Sequence, residues 1–202
     1  MTITLPDREL LLRSVDGGWT CEQWEQLPDD GHRYEVLDCV LYMSTAPSPR
    51  HQRISLNITL ELARQIDDPG LGLTFYAPIG VVMPSADPVQ PDIVVVLAAQ
   101  DDIITDRRIV GVPALLVEIL SPSNAAYGLT VKAEVYARAG VPEYWIVRPA
   151  ERDLLLHSRP EPATGRYLQV DHIAPDGEVH SPTLPFRAPL APFFADTLGP
   201  RG

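Results

Sequence analysis

At 202 residues, 45% of them apolar and 21% charged, the chain has the size and composition of one globular domain and lies outside the disordered class. No stretch approaches the roughly 20 continuous apolar residues of a membrane-spanning helix. A formal charge of −11 argues against a surface coated with phosphate-binding patches, although it leaves room for a local basic groove, and an acidic cluster is what a divalent metal wants.

The start of the chain is broken by Pro6, Asp7, Arg8 and Glu9 and lacks the basic-then-apolar pattern of an export signal, so a soluble, cytoplasmic protein with no membrane partner is expected. In that compartment Cys21 and Cys39 are reduced thiols, and neither has a zinc-ligand spacing. Residues 1–18 read as a loosely attached leader, and residues 19–202 as a single domain ending in a Pro-rich tail.

Thr20 caps a short helix over Glu22–Leu27, with Gln23 completing a capping box. Tyr34–Met43 reads as a hairpin turning at Asp38-Cys39. Ser48 precedes a long helix over His51–Ile66, whose apolar stripe is Ile54, Ile58, Leu62 and Ile66, widened by Leu56 and Leu60. Short strands are expected at Pro78–Val82, Pro91–Leu97 and Ala114–Leu120, the last two apolar enough to be covered on both faces. Ala125–Ala139 reads as a second helix closed by Gly140. Strands at Tyr144–Val147 and Asp153–His157 follow, with an edge strand at Tyr167–Val170. This alternation makes the fold class α/β or α+β, one layered domain built on a mixed sheet.

Two residues break these patterns. Asp92 opens an apolar strand directly after Pro91, and Glu118 interrupts Leu115–Leu120. A buried carboxylate needs a compensating cation, and two carboxylates on adjacent strands suit a Mg²⁺ ion whose shell waters complete. An Asp after Pro also serves as an ordinary strand start, and Glu118 also suits an outward-facing edge position. A third residue stands out by composition: of 16 basic residues 15 are arginine, and the one lysine is Lys132. A compact ammonium there, on the helix after the Glu118 strand, could orient water or offset charge on a reacting phosphate; a solvated helix residue is the plain reading.

With these residues in view, the chain resembles the Uma-two family, a bacterial group of restriction-endonuclease-like proteins within the PD-(D/E)XK nuclease superfamily. The resemblance is carried by Tyr34-Glu35-Val36-Leu37-Asp38, Ser48-Pro49-Arg50-His51, Gln90-Pro91-Asp92-Ile93-Val94-Val95, Val117-Glu118-Ile119-Leu120-Ser121-Pro122-Ser123, and Lys132-Ala133-Glu134-Val135-Tyr136 through Gly140-Val141-Pro142-Glu143-Tyr144-Trp145. It implies a restriction-endonuclease-like core, a mixed β-sheet flanked by helices. Asp92 is then the PD aspartate and Glu118 the second acid. Leu120 stands where the superfamily's lysine usually does, and the family's lysine is expected on the following helix, at Lys132. Glu35 matches an additional acidic residue, and His51 is placed to touch a phosphate or a water. Three positions depart from the pattern: Gly128 replaces an acidic residue one helical turn before Lys132, Cys39 replaces a glycine, and Arg148 an aspartate.

The expected activity is a Mg²⁺- or Mn²⁺-dependent endonuclease hydrolysing DNA phosphodiesters. Asp92, Glu118 and the Ile119 carbonyl would hold the metal, Lys132 would assist water, and Glu35 would hold a water or a second ion. Arg50, Arg53, Arg107 and Arg108 are candidate phosphate contacts, or ordinary surface charges. The alternative is a drifted nucleic-acid-binding or dimeric module of the same fold. A carbohydrate enzyme would want an aromatic-lined cleft and leaves Lys132 without a task. Strand Tyr144–Val147 and Phe186, Phe193 and Phe194 are read as support for a homodimer.

Overall fold

The computed structural model describes residues 11–13, 18–27, 33–37, 39–44, 46–84, 86–121 and 128–195. In chain order the elements are β1 Leu11–Arg13, α1 Cys21–Glu25, β2 Arg33–Leu37, β3 Val40–Ser44, α2 Pro49–Ile66, β4 Gly72–Tyr76, β5 Val81–Val82, β6 Ile93–Leu97, β7 Ile109–Val110 and β8 Leu115–Ile119. A π-helical turn at Gly128–Lys132 leads into α3, Ala133–Ala139. Strands β9 Glu143–Arg148, β10 Asp153–Glu161, β11 Arg166–Ile173, β12 Glu178–His180 and β13 Arg187–Pro189 follow, then a 3₁₀ turn at Ala191–Phe194.

Six strands form the central sheet in the order β11-β10-β9-β8-β6-β4. Only β8 and β9 run parallel within it, joined through the segment that carries α3. Side chains alternate across each strand, so the sheet has two covered faces. Ile93, Val95, Leu115, Val117, Ile119, Trp145 and Val147 face α2 and the C-terminal tail. Val94, Val96, Leu116, Tyr144 and Ile146 face α3 and the segment bearing β5 and β7.

The caps form as their residues require. Thr20 and Gln23 make the reciprocal capping box of α1, and the Ser48 side chain accepts from the His51 N–H at the start of α2. Gly140 ends α3 at φ +80°, a left-handed conformation that costs a glycine little.

Several expectations are corrected. Leu11–Arg13, inside the stretch read as a leader, pair with β3 as a third strand beside the β2–β3 hairpin. Leu56 and Leu60 do not widen the α2 stripe: they are 45% and 60% exposed, because two residues from Ile54 or Ile58 is more than half a turn away. The strand expected at Pro78–Val82 shortens to Val81–Val82, Pro78 lacking a ladder donor, while β4 was not anticipated. The second long helix begins with the π-helical turn, and its predicted start at residues 125–127 lies outside the described residues, as do Asp38 and Ser123. Phe186, Phe193 and Phe194 are buried in the chain's own core, where Phe186 lies 5.4 Å from Trp145, and Tyr144–Val147 is interior to the sheet. These residues are engaged in the chain's own fold.

Candidate active site

The sheet register sets the two acids side by side. Ile93 pairs with Val117, so one step further Asp92 stands next to Glu118 on the α3 face. Asp92 Oδ2 accepts a 2.7 Å hydrogen bond from the Ile119 N–H, which ties the loop before β6 to the end of β8. Glu118 lies between Val117 and Ile119 and is 3% exposed.

The π-helical turn ends at Lys132, whose ammonium donates to Glu118 Oε1 at 2.8 Å and to Glu35 Oε1 at 2.9 Å. Such a turn inserts an extra residue into the helical path and is frequent at functional sites. Four residues on, Tyr136 shares the helix face with Lys132, and its hydroxyl donates to the same Glu118 Oε1 at 2.9 Å. Glu35 comes from β2, in the smaller sheet, and also accepts from the Gln90 N–H at 2.8 Å. His51 arrives from the other side: α2 packs on the opposite face, and its first turn carries the ring around the end of β8. There His51 Nε2 lies 3.1 Å from the Ile119 carbonyl oxygen and 3.3 Å from Asp92 Oδ2.

Glu35, His51, Asp92, Glu118 and Lys132 are all buried. Glu35 and Glu118 both accept from Lys132, and Asp92 lies beside them against His51, a concentration of buried carboxylates that low-dielectric surroundings make costly. Burial, and then the nearby Glu118 and Glu35 carboxylates, push the Tyr136 hydroxyl well above the usual tyrosine range, so it stays protonated and acts as a donor. Among the described residues no group of three or more His, Cys, Asp and Glu side chains is set to hold a metal ion. Two adjacent carboxylates and a main-chain carbonyl are nonetheless the hard oxygen donors that Mg²⁺ accepts when water fills the rest of its shell. The donor chemistry and the excess of negative charge both fit such an ion.

The expected arginines are scattered. Arg50 is exposed and donates to the Pro149 carbonyl at 2.5 Å, and Arg53 is half-buried on α2. Arg108 pairs with Glu25 and lies over the Trp24 ring, on the α1 side, and Arg107 beside it is exposed. The residue that sequence reading passed over is Tyr136, quoted within the motif but given no role; its four-residue offset from Lys132 was the available signal.

A mixed sheet flanked by helices, with two acids meeting at adjoining strands and a lysine folded back on one of them, defines the restriction-endonuclease-like class. The chain belongs to the Uma2 family: residues 21–191 match it, under the description "Putative restriction endonuclease". Among solved structures it is similar to one titled as a putative nuclease belonging to DUF820 from Anabaena variabilis, with a TM-score of 0.72 at 17% identity, covering 87% of this chain and 97% of that one. That likeness shows the fold. No curated protein matches the chain. No helix among the described residues is long and apolar enough to cross a membrane.

Proposed function

We propose that the chain is a metal-dependent endonuclease that hydrolyses DNA phosphodiester bonds. The observation that carries this reading is the approach of Lys132 to Glu118. The chain's one lysine leaves the following helix to reach the acid that sits beside Asp92, and family membership supports the same chemistry.

Asp92, Glu118 and the Ile119 carbonyl would hold Mg²⁺ or Mn²⁺. A divalent ion there would supply Lewis acidity toward a phosphate oxygen. The protein's own part is positioning. Lys132 presents an ammonium whose donors can hold an incoming water and offset charge developing on the phosphorus-bound oxygens. Glu35 fixes that ammonium from β2 and is itself fixed by the Gln90 N–H, so we assign it a positioning role toward Lys132. Tyr136 holds Glu118 Oε1 and so orients the carboxylate. His51 bridges Asp92 and the Ile119 carbonyl, which keeps the two strand ends in register. Burial of all these groups excludes bulk water and strengthens each interaction.

The test is nicking of supercoiled and single-stranded DNA with Mn²⁺ or Mg²⁺, run beside Glu118→Ala and Lys132→Ala, with Mn²⁺ binding followed by calorimetry. Metal-dependent nicking that disappears in both variants is expected. Activity that survives both changes overturns the assignment. An inactive parent that also fails to bind Mn²⁺ establishes the drifted binding module in its place.

A further inference from the structure

The turn between β9 and β10 gathers positive charge at the same end of the sheet as the acids. In the parallel register Glu118 pairs with Ile146, and Arg148 lies two residues beyond on the same face. That places its Cα one strand over and one pleat further along, roughly 8 Å from that of Glu118. Arg148 pairs across β10 with Asp153, which is buried. Asp153 Oδ1 accepts from Arg148 Nε at 2.6 Å and Oδ2 from Nη2, so the guanidinium plane is held at two points. His172 from β11 places Nε2 2.6 Å from the same Oδ2. Burial opposes the charge on Asp153, but the Arg148 and His172 bonds outweigh it and keep the carboxyl below its ordinary value.

Arg50 reaches this turn from the other face of the sheet. Its donation to the Pro149 carbonyl sets a second guanidinium one residue from Arg148, and no carboxylate pairs with it among the described residues. Arg64, Arg108, Arg138 and Arg187, away from this turn, are each paired with one glutamate: Glu61, Glu25, Glu134 and Glu178. Around this turn Arg50, Arg148 and Arg152 stand against Asp153 and Glu151. A chain of net charge −11 needs such a local excess to attract a polyanion.

We propose that the β9–β10 turn is a nucleic-acid backbone site, in which Arg148 and Arg50 bind phosphates flanking the bond to be cut. The Asp153 clamp preorganises Arg148, and the side chain keeps a quarter of its surface in solvent. The planar fork of arginine suits a phosphate better than an ammonium does. This inference rests on the nuclease reading, because it takes the acids beside it as the reacting centre.

The experiment measures binding of labelled single- and double-stranded DNA to the full chain without divalent metal, over a salt series. Parent, Arg50→Ala, Arg148→Ala, Arg148→Lys and Arg187→Ala are compared. Arg50→Ala and Arg148→Ala are each expected to weaken binding on the order of tenfold, whatever the sequence, and to lower the salt slope by about 1. Arg148→Lys keeps much of the slope, and the remote Arg187→Ala matches the parent. Arg50 is exposed and its removal leaves no buried charge, so its variant decides the matter even if Arg148→Ala unfolds. Binding by Arg50→Ala and Arg148→Lys that equals Arg187→Ala overturns the proposal, as does a parent that binds no DNA. A parent that binds through these arginines but never cleaves with metal fails the nuclease reading and leaves the binding site standing.

Discussion

Glu118 and Glu143 lie on neighbouring parallel strands, each inside an apolar run and each almost wholly buried, yet they meet opposite company. Glu118 faces α3 and shares its surroundings with two more carboxylates, Lys132 and Tyr136. Glu143 sits at the other end of the strand pair on the other face. Among the described residues only neutral donors reach it: Trp145 Nε1 at 2.5 Å, Ser181 Oγ at 2.6 Å, and the N–H and hydroxyl of Thr183. The first arrangement concentrates charge at an edge where chemistry can use it. The second satisfies one carboxyl with hydroxyls from the tail and so latches residues 181–183 onto β9. A buried acid is therefore a functional signal only when its partners are charged as well.

The sharpest way to break this comparison is to treat the two acids' partners alike. Lys132→Met keeps most of the volume but leaves Glu35 and Glu118 buried without their shared cation. We expect a loss of about 3–5 kcal/mol by chemical denaturation, and a fall in single-turnover cleavage on the order of 10²–10³. Glu143→Gln, measured in parallel, should leave cleavage within about twofold of the parent, since Glu143 touches nothing in the site. Equal activity of the two variants would make Lys132 a structural ion-pair partner and nothing more.

A smaller effect sharpens the role of Glu118. Tyr136→Phe preserves the ring packing against Tyr144, whose centroid is 4.9 Å away, and removes only the hydroxyl. Glu118 Oε1 then keeps its bond from Lys132. Stability should fall by about 1 kcal/mol. The cleavage rate should fall by about tenfold with KM little changed, because a looser carboxylate is felt in the reacting geometry and not in DNA binding. A rise in KM at constant kcat would move Tyr136 out of the site and into the fold.

How far the sequence reveals this division depends on where each partner lies. Glu118 is legible because a lone carboxylate interrupts the apolar run Leu115–Leu120, and Lys132 because the other Lys/Arg residues are all arginine. The helix cap at Ser48, the β2–β3 hairpin and the apolar strands follow from local chemistry and appear as expected. Glu143 is opaque, since its hydroxyl donors lie 38 and 40 residues downstream and meet it only when the tail docks. His51 is reached only through the family resemblance: its helix packs on the face opposite the acids, and periodicity carries no hint that the ring turns the corner of β8. Arg148 reads as a mere departure from a pattern until the register places it beside Glu118 and the Asp153 clamp gives it a fixed orientation.

The least disruptive comparison uses pH. Burial raises the Glu143 carboxyl above its ordinary value, and the bonds from Ser181, Thr183 and Trp145 offset this only in part. The folded protein thus holds a proton that the unfolded chain releases first. Stability from this group is fullest below the ordinary glutamate value of 4.5 and declines as pH rises from there through the raised folded value. Glu143→Gln carries no titrating proton at this position. Its stability relative to the parent should therefore improve as pH increases across that window and level off above it, in denaturation curves taken at closely spaced pH. A difference between the two proteins that is flat with pH would mean the tail hydroxyls hold Glu143 ionised in both states. The latch would then be a charge-assisted one, and the contrast with Glu118 would narrow from charged against neutral to one charged environment against another.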